Sequence, residues 1–209
     1  MKITVIGTGN VGQALGVTWA QKGHEVVFAT RDPESEKVQG ILARAGAKAR
    51  AMEVADAAAT SPIIILATPW NAAESVVKAV PDWSGKILVD ATNPIAPGLQ
   101  LAISGDSSGA EQVAQWATGA QVVKAFNTTG AENMINPVYH GEATTMFICG
   151  DSAEAKAVVT QLAEDLGFEV ADVGPLTAAR YLEPLAMVWI RLAMVQGRGR
   201  DIAFKLVQR

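Results

Sequence analysis

Two rhythms of hydrophobic and polar positions alternate along the chain. Short apolar runs of four or five residues fit strands covered on both faces, and apolar residues at helical spacing fill the stretches between them. Lys2 to Ile6 is the first such run, and Asn10 to Gln21 carries the first helical spacing. Val26 to Ala29 predicts a second strand, residues 34 to 46 a helix, Lys48 to Met52 a short edge strand, and Glu53 to Thr60 an alanine-rich helix. Ile63 to Ala67, Lys86 to Asp90 and Gln121 to Phe126 predict further strands, and Ser107 or Ser108 caps a helix over residues 109 to 118. Thr144 to Cys149, Ala153 to Leu166 and Phe168 to Val173 then read as strand, helix and strand. The alternation predicts an α/β fold built on a doubly wound, mostly parallel sheet of Rossmann type.

Polar and turn-forming residues set the boundaries. Pro69 stops the strand before it, and Asn71 is placed to cap the next helix. Ala96 to Ser108 reads as a long glycine- and serine-rich loop without regular structure. Thr177 is placed to cap an apolar helix in which Pro184 predicts a kink or a new turn. Gly197 to Asp201 reads as a glycine turn followed by a short basic helix ending at Leu206.

The chemistry starts at Gly7-Thr8-Gly9-Asn10-Val11-Gly12, a G-x-G-x-x-G between the first strand and the first helix. Gly7 makes the sharp turn, Gly9 lets backbone approach a pyrophosphate, and Gly12 lets the helix pack closely on the strand. The helix N-terminus offers unpaired N–H groups and positive dipole to phosphates. An NAD site puts an acidic residue about 20 residues beyond this turn, at the end of the second strand. Here Thr30 occupies that place and Arg31 follows. A hydroxyl and a forked guanidinium suit a 2′-phosphate, so the pair predicts NADP(H), with Thr8 close enough to help. The alternative leaves Arg31 in solvent and gives the ribose to Asp32. At the later strand ends, Thr68, Pro69 and Trp70 would wall the cofactor, Trp70 having the alternative of a ring packed under a loop. Thr92 and Asn93 would read the nicotinamide amide, or form an Asx-turn before Pro94.

With 209 residues, a single α/β domain with a small appendage is predicted: residues 1–130 bind the dinucleotide, and residues 131–209 form a C-terminal α/β extension packed on it, with the acceptor pocket and a dimer contact. A formal charge of -4 and no basic run interleaved with aromatics argue against nucleic acid. The single cysteine, Cys149, sits in an apolar run and reads as core. With no disulfide possible, no room for a signal peptide before the first strand, and no apolar run of membrane-spanning length, the expectation is a cytoplasmic protein without membrane attachment.

What is missing narrows the reaction. Reduction of a carbonyl or imine calls for a positioned acid, and His24 and His140 read as structural and surface residues. No metal-ligand spacing is present. Hydroxyacid and imine dehydrogenases with a similar first half also need a long helical second domain, and the residues after Val173 are too few for one. A flat flavin-like acceptor supplies its own proton-accepting nitrogen, so a crevice of backbone and small polar groups suffices.

The chain resembles the NADPH-dependent deazaflavin (coenzyme F420) reductases, the F420:NADP oxidoreductases. It is similar too to the reductase domain of the six-transmembrane epithelial antigen metalloreductases. The resemblance rests on Gly7 to Gly12, Gly23-His24-Glu25-Val26, Thr30-Arg31, Pro69-Trp70, Cys149-Gly150-Asp151 and Asp172-Val173-Gly174-Pro175-Leu176. It implies NADP(H) as cofactor, with Thr8, Thr30 and Arg31 at the 2′-phosphate and Gly9, Asn10 and Val11 at the pyrophosphate. Asn93 and Asn127 would lie where nicotinamide meets a second ring, and no residue acts as a chemical catalyst. The implied acceptor is F420, FMN or FAD, and the implied assembly is a homodimer through the C-terminal helices. An NADP(H)-binding sensor without turnover and a flavin-mediated ferric reductase are the alternatives.

Overall fold

The first apolar run, β1 (Lys2–Ile6), lies inside the sheet because the runs on both sides of it are equally apolar. In the computed structural model, which describes residues 1–209, β1 pairs in parallel with β2 (Glu25–Ala29) and β4 (Ile63–Leu66). β3 (Ala49–Met52) forms the edge beyond β2, and β5 (Ile87–Asp90) and β8 (Gln121–Lys124) continue the parallel pairing beyond β4. β11 (Thr145–Gly150) joins β8 antiparallel, and β12 (Glu169–Asp172) closes the far edge. The order is β12-β11-β8-β5-β4-β1-β2-β3. The strand order reverses between β1 and β4, and open α/β sheets bind ligands outside the carboxyl ends of strands at such a point.

Helices cover both faces, as the two-sided burial of Ile63-Ile64-Ile65-Leu66 requires. On one side α1 (Asn10–Gln21), α2 (Glu36–Ala45), the short α6 (Ala131–Ile135) and α7 (Ala153–Leu166) pack over Val5, Phe28 and Ile148. On the other, α3 (Val54–Thr60), α4 (Trp70–Lys78), α5 (Gly109–Trp116) and α8 (Ala179–Ile190) pack over Ile6, Ile64 and Leu88. Burying each such apolar side chain contributes roughly 1.5–3 kcal/mol. Trp19 is fully buried and donates its indole N–H to the Leu162 carbonyl at 3.0 Å, tying α1 to α7. His24 is buried too, between the N-terminal amine at 3.1 Å and the Asp165 carboxylate at 2.9 Å, in the structural role assigned to it. No helix is long and apolar enough to cross a membrane.

Several boundaries differ from the sequence expectation. Asn71 does not cap α4; Pro69 is the extended residue before the helix, which starts at Trp70 and has no side-chain cap. The stretch after Pro94 is not wholly irregular. β6 (Ile95–Ala96) and β7 (Gln100–Leu101) form a hairpin turned through Gly98 and Leu99, both at positive φ. Another hairpin pairs β9 (Val138–Tyr139) with β10 (Glu142–Ala143) and carries His140 exposed at its turn. Thr177 lies inside a 3₁₀ turn, Leu176–Ala178, rather than at a cap, and α8 follows at Ala179. Pro184 neither breaks nor restarts α8. It sits on the exposed face, where the carbonyl it leaves unbonded can be solvated, and the helix runs on to a π-helical turn over Arg191–Val195. The predicted basic tail helix is absent. Residues 201–209 run without regular structure beside β11, with the Thr145 N–H donating to the Phe204 carbonyl and the Leu206 N–H to the Thr145 hydroxyl.

Candidate active site

The glycine turn separates structural necessity from ligand space. Gly7 has φ +113, and a Cβ there would lie 2.4 Å from the Ala67 carbonyl oxygen. A Cβ on Gly12 would lie 2.0 Å from the Gly7 oxygen, so α1 reaches β1 only because that position is bare. Gly9 is different: its φ of -79 suits any residue, and a Cβ there meets nothing within 4 Å. The protein itself does not require glycine at position 9. It precedes α1, whose N-terminus has no side-chain cap, so an anion can reach the free N–H groups. Gln13 braces the turn from within α1, donating from its amide to the Thr8 carbonyl at 2.9 Å.

Two cavities flank this turn. The first, of about 390 Å³, is lined by Gly7, Thr8, Gly9, Thr30, Arg31 and Lys37 among others. Arg31 and Lys37 are exposed and take part in none of the protein's ion pairs. Two basic side chains and two hydroxyls thus share one hollow, the donor set of a phosphate site. Asp32 does not line it; its backbone N–H donates to the Thr30 hydroxyl. Lys37 escaped the motif reading, which counts outward from the glycines. A cation in the first turn of α2 opposes the helix dipole, and that mismatch is the signal that could have found it.

The second cavity, of about 690 Å³, opens over the ends of β4 and β5 and is lined by Val11, Thr68, Pro69, Trp70, Thr92 and Asn93, with Ile95 and Pro97 of the β6–β7 hairpin. Ala67, Thr68 and Pro69 line both cavities, so the two form one crevice. The Thr68 hydroxyl stands at their junction, buried and without a partner. Trp70 lines the crevice, and its ring packs on Trp116 of α5 at 5.3 Å between centroids rather than under a loop. Asn10 opens α1 but lines a separate groove of about 550 Å³ between α1 and α6, and it is not among the residues lining the two cavities of the crevice.

At the far end, two strand-end asparagines meet. Asn93 donates its side-chain amide to the Asn127 carbonyl at 2.9 Å, and Asn127 donates to Asn93 Oδ1 at 3.1 Å and to the Leu182 carbonyl at 3.2 Å. Asn127 Oδ1 is left buried with no partner. Phe126, immediately before it, has φ +61, a conformation costing a bulky residue about 1–2 kcal/mol. Packing holds it there: its ring meets Trp19 edge-on at 5.6 Å. Thr92 turns inward, its hydroxyl donating to Asp90 at 2.7 Å, while Asn93 Oδ1 accepts from Asn127.

Below Thr92 lies a cluster that strand patterning concealed. Lys124 is completely buried and donates to Asp90 Oδ2 at 2.9 Å, to Glu183 Oε1 at 2.9 Å and to the Thr92 carbonyl at 2.7 Å. Burial alone would lower its ammonium, but the attraction of Asp90 and Glu183 outweighs that and holds it above the ordinary lysine range. Glu183 also accepts the Gly109 and Ala110 N–H groups at the start of α5. Cys149, by contrast, is core as expected, and burial pushes its thiol up to about 12.

Residues 2–94 match the family described as NADP oxidoreductase, coenzyme F420-dependent. The F420-dependent NADP reductase of Methanothermobacter thermautotrophicus is 29% identical, the match covering 99% of this chain and 94% of that one. A crystal structure from Arthrobacter sp. FB24, provisionally named an F420-dependent NADP-reductase, is 33% identical over the whole of both chains with a TM-score of 0.90. The metalloreductase STEAP3 of Rattus norvegicus is 28% identical over 89% of this chain, which spans only 36% of that protein.

Proposed function

Because the chain belongs to the coenzyme F420-dependent NADP oxidoreductase family and is therefore an NADP-dependent oxidoreductase, we propose that it exchanges hydride between NADP(H) and a flavin-type ring, deazaflavin F420 before FMN or FAD. The residues fit the dinucleotide: the bare Gly9 leaves room for the pyrophosphate at the start of α1, and the buried, unpartnered Thr68 hydroxyl lies along its path. Thr8, Thr30, Arg31 and Lys37 would hold the 2′-phosphate, and Asn93 and Asn127 would face the nicotinamide end. Bound NADPH supplies the hydride.

One observation carries the choice of acceptor class: no titratable side chain lines the cavity over β4 and β5. Lys124, buried below Thr92, has all three N–H donors committed to Asp90, Glu183 and Thr92. A carbonyl or imine would find no proton there, whereas a ring that accepts hydride into its own conjugated system needs only to be oriented and kept dry. The chain's residues orient through the paired asparagine amides and exclude water with Trp70, Ile95 and Pro97.

The same reading takes the protein as a homodimer. Tyr181, Val188 and Val195 follow one another at seven-residue spacing on α8 and the π turn, and are 73%, 49% and 48% exposed. Such a stripe supports a helix-to-helix contact between two copies. Sedimentation at micromolar concentration tests it, with a monomer as the refuting result. For the activity, NADPH oxidation is followed at 340 nm with F420, FMN, FAD and a ferric chelate in turn. Turnover with F420 above the other acceptors is expected. Tight NADPH binding with no oxidation by any acceptor would instead favour a sensor.

A further inference from the structure

We propose that the buried Asp90–Lys124–Glu183 cluster is a positioning device that sets Asn93 and Asn127 against the nicotinamide end of the crevice, with α8 as its lever. The inference rests on the NADP reading and concerns how this chain orients the group that reading supplies.

The bonding pattern carries the argument. Asp90 ends β5 and Lys124 ends β8, and the two are direct register partners. Lys124 spends one donor on Asp90, one on Glu183 from α8, and the third on the Thr92 carbonyl. Asp90 uses its other oxygen to accept both the Thr92 N–H at 2.9 Å and the Thr92 hydroxyl at 2.7 Å. The two peptide units that flank Thr92 are thereby fixed, and the orientation of the next residue, Asn93, follows. Asn127 is held in parallel: its amide donates to Leu182, the neighbour of Glu183, and it lies three residues beyond Lys124. One cluster therefore governs both asparagines, and they hold each other through two mutual hydrogen bonds.

Charge explains why the cluster is anchored where it is. Two carboxylates and one ammonium leave a net negative charge in a region where all three side chains are at most 1% exposed. The start of α5 offsets it, with the Gly109 and Ala110 N–H groups donating to Glu183 at 2.9 and 3.0 Å. A cluster meant only to join strands could be apolar at lower cost. This one instead directs each of its hydrogen bonds to a group that orients a crevice asparagine or anchors the anion doing so. Asn127 Oδ1, the acceptor it leaves buried and open, is matched to an amide N–H of the nicotinamide.

The test compares two probes: NADPH, and 2′,5′-ADP, which keeps the 2′-phosphate and lacks the nicotinamide. Lys124→Met alone strands two buried carboxylates and is prone to unfold. The double variant Lys124→Met/Glu183→Gln keeps the net charge of the cluster while releasing the Thr92 carbonyl, with the Thr92 N–H and hydroxyl still on Asp90, and circular dichroism checks its fold. The expected result is an NADPH affinity at least tenfold weaker than wild type, with 2′,5′-ADP affinity unchanged within twofold. If the folded double variant binds both probes like wild type, or loses both equally, the positioning role is overturned and the cluster is structural. A wild-type protein that binds neither probe rejects the NADP site itself, and the inference with it.

Discussion

Replacing Gly9 with alanine separates ligand space from folding requirement. Its φ of -79 is ordinary and a methyl there meets nothing within 4 Å, so the free protein has no steric reason to object. Alanine loses the preference glycine has at a helix N-cap, a few tenths to about 1 kcal/mol, and gains about 0.4–1 kcal/mol from a stiffer unfolded chain. These offset, and Tm should move by less than about 2 °C, given roughly 2–4 °C per kcal/mol at this size. In the NADPH complex the methyl keeps the pyrophosphate from the backbone and removes at least one charge-assisted hydrogen bond, about 1.5–3 kcal/mol, or roughly 10- to 150-fold in Kd. Gly12→Ala is the opposite case. Its methyl would lie 2.0 Å from the Gly7 oxygen, so α1 must shift, costing about 1–3 kcal/mol and lowering Tm by roughly 2–12 °C without ligand. Calorimetry of the free proteins and fluorescence titration with NADPH read both effects. A Gly9→Ala protein that binds NADPH as wild type does would refute the pyrophosphate assignment.

Arg31→Ala should weaken NADPH about tenfold or more and leave NADH unchanged, since a forked guanidinium meets the 2′-phosphate alone; equal losses for both nucleotides would count against that site. Lys37→Ala should cost less, roughly threefold, because an exposed ammonium is well screened, and added salt should erase the difference. Burial and the N-terminal amine hold the His24 imidazole below its ordinary 6.5, although Asp165 pulls the other way. The unfolded chain therefore binds the extra proton first as pH falls. This stability is complete above about pH 6.5 and lost as pH drops through the folded value. His24→Gln should flatten the fall of Tm between about pH 7.5 and 5, and an unchanged slope would place the effect elsewhere. With its thiol pushed up to about 12 and fully buried, Cys149 should ignore a disulfide reagent until the protein is denatured, when one thiol per chain reacts. Labelling of the folded protein would contradict its core placement.

Much of the fold was legible because its physics is local. Ile63 to Leu66 declares burial on both faces without reference to anything distant, and Ser108 shows its cap by chemistry, its hydroxyl accepting the Glu111 N–H. Gly7 and Gly12 were readable because each steric role follows from one residue type at one offset from a strand end, and the same counting picks out Gly9 and Arg31, which line one cavity. The β6–β7 hairpin was not, since two-residue strands have no period to detect. The tail misled because its basic composition looked helical, whereas its order comes from backbone: the Ile202 carbonyl accepts from both Asn133 and Trp189.

Lys124 marks where local reasoning ends. A lysine inside Val122-Val123-Lys124-Ala125-Phe126 already implies a buried anion, because an unpaired ammonium there would cost several kcal/mol, on the order of its desolvation. The chain offers 21 carboxylates, however, and nothing local distinguishes Asp90 or Glu183 among them. Asp90 becomes the partner only when β5 and β8 are adjacent in register, and Glu183 only when α8 returns across the start of α5. The glycine turn can therefore be read from twelve residues, while the opposite end of the same crevice depends on contacts that only the completed sheet order brings together.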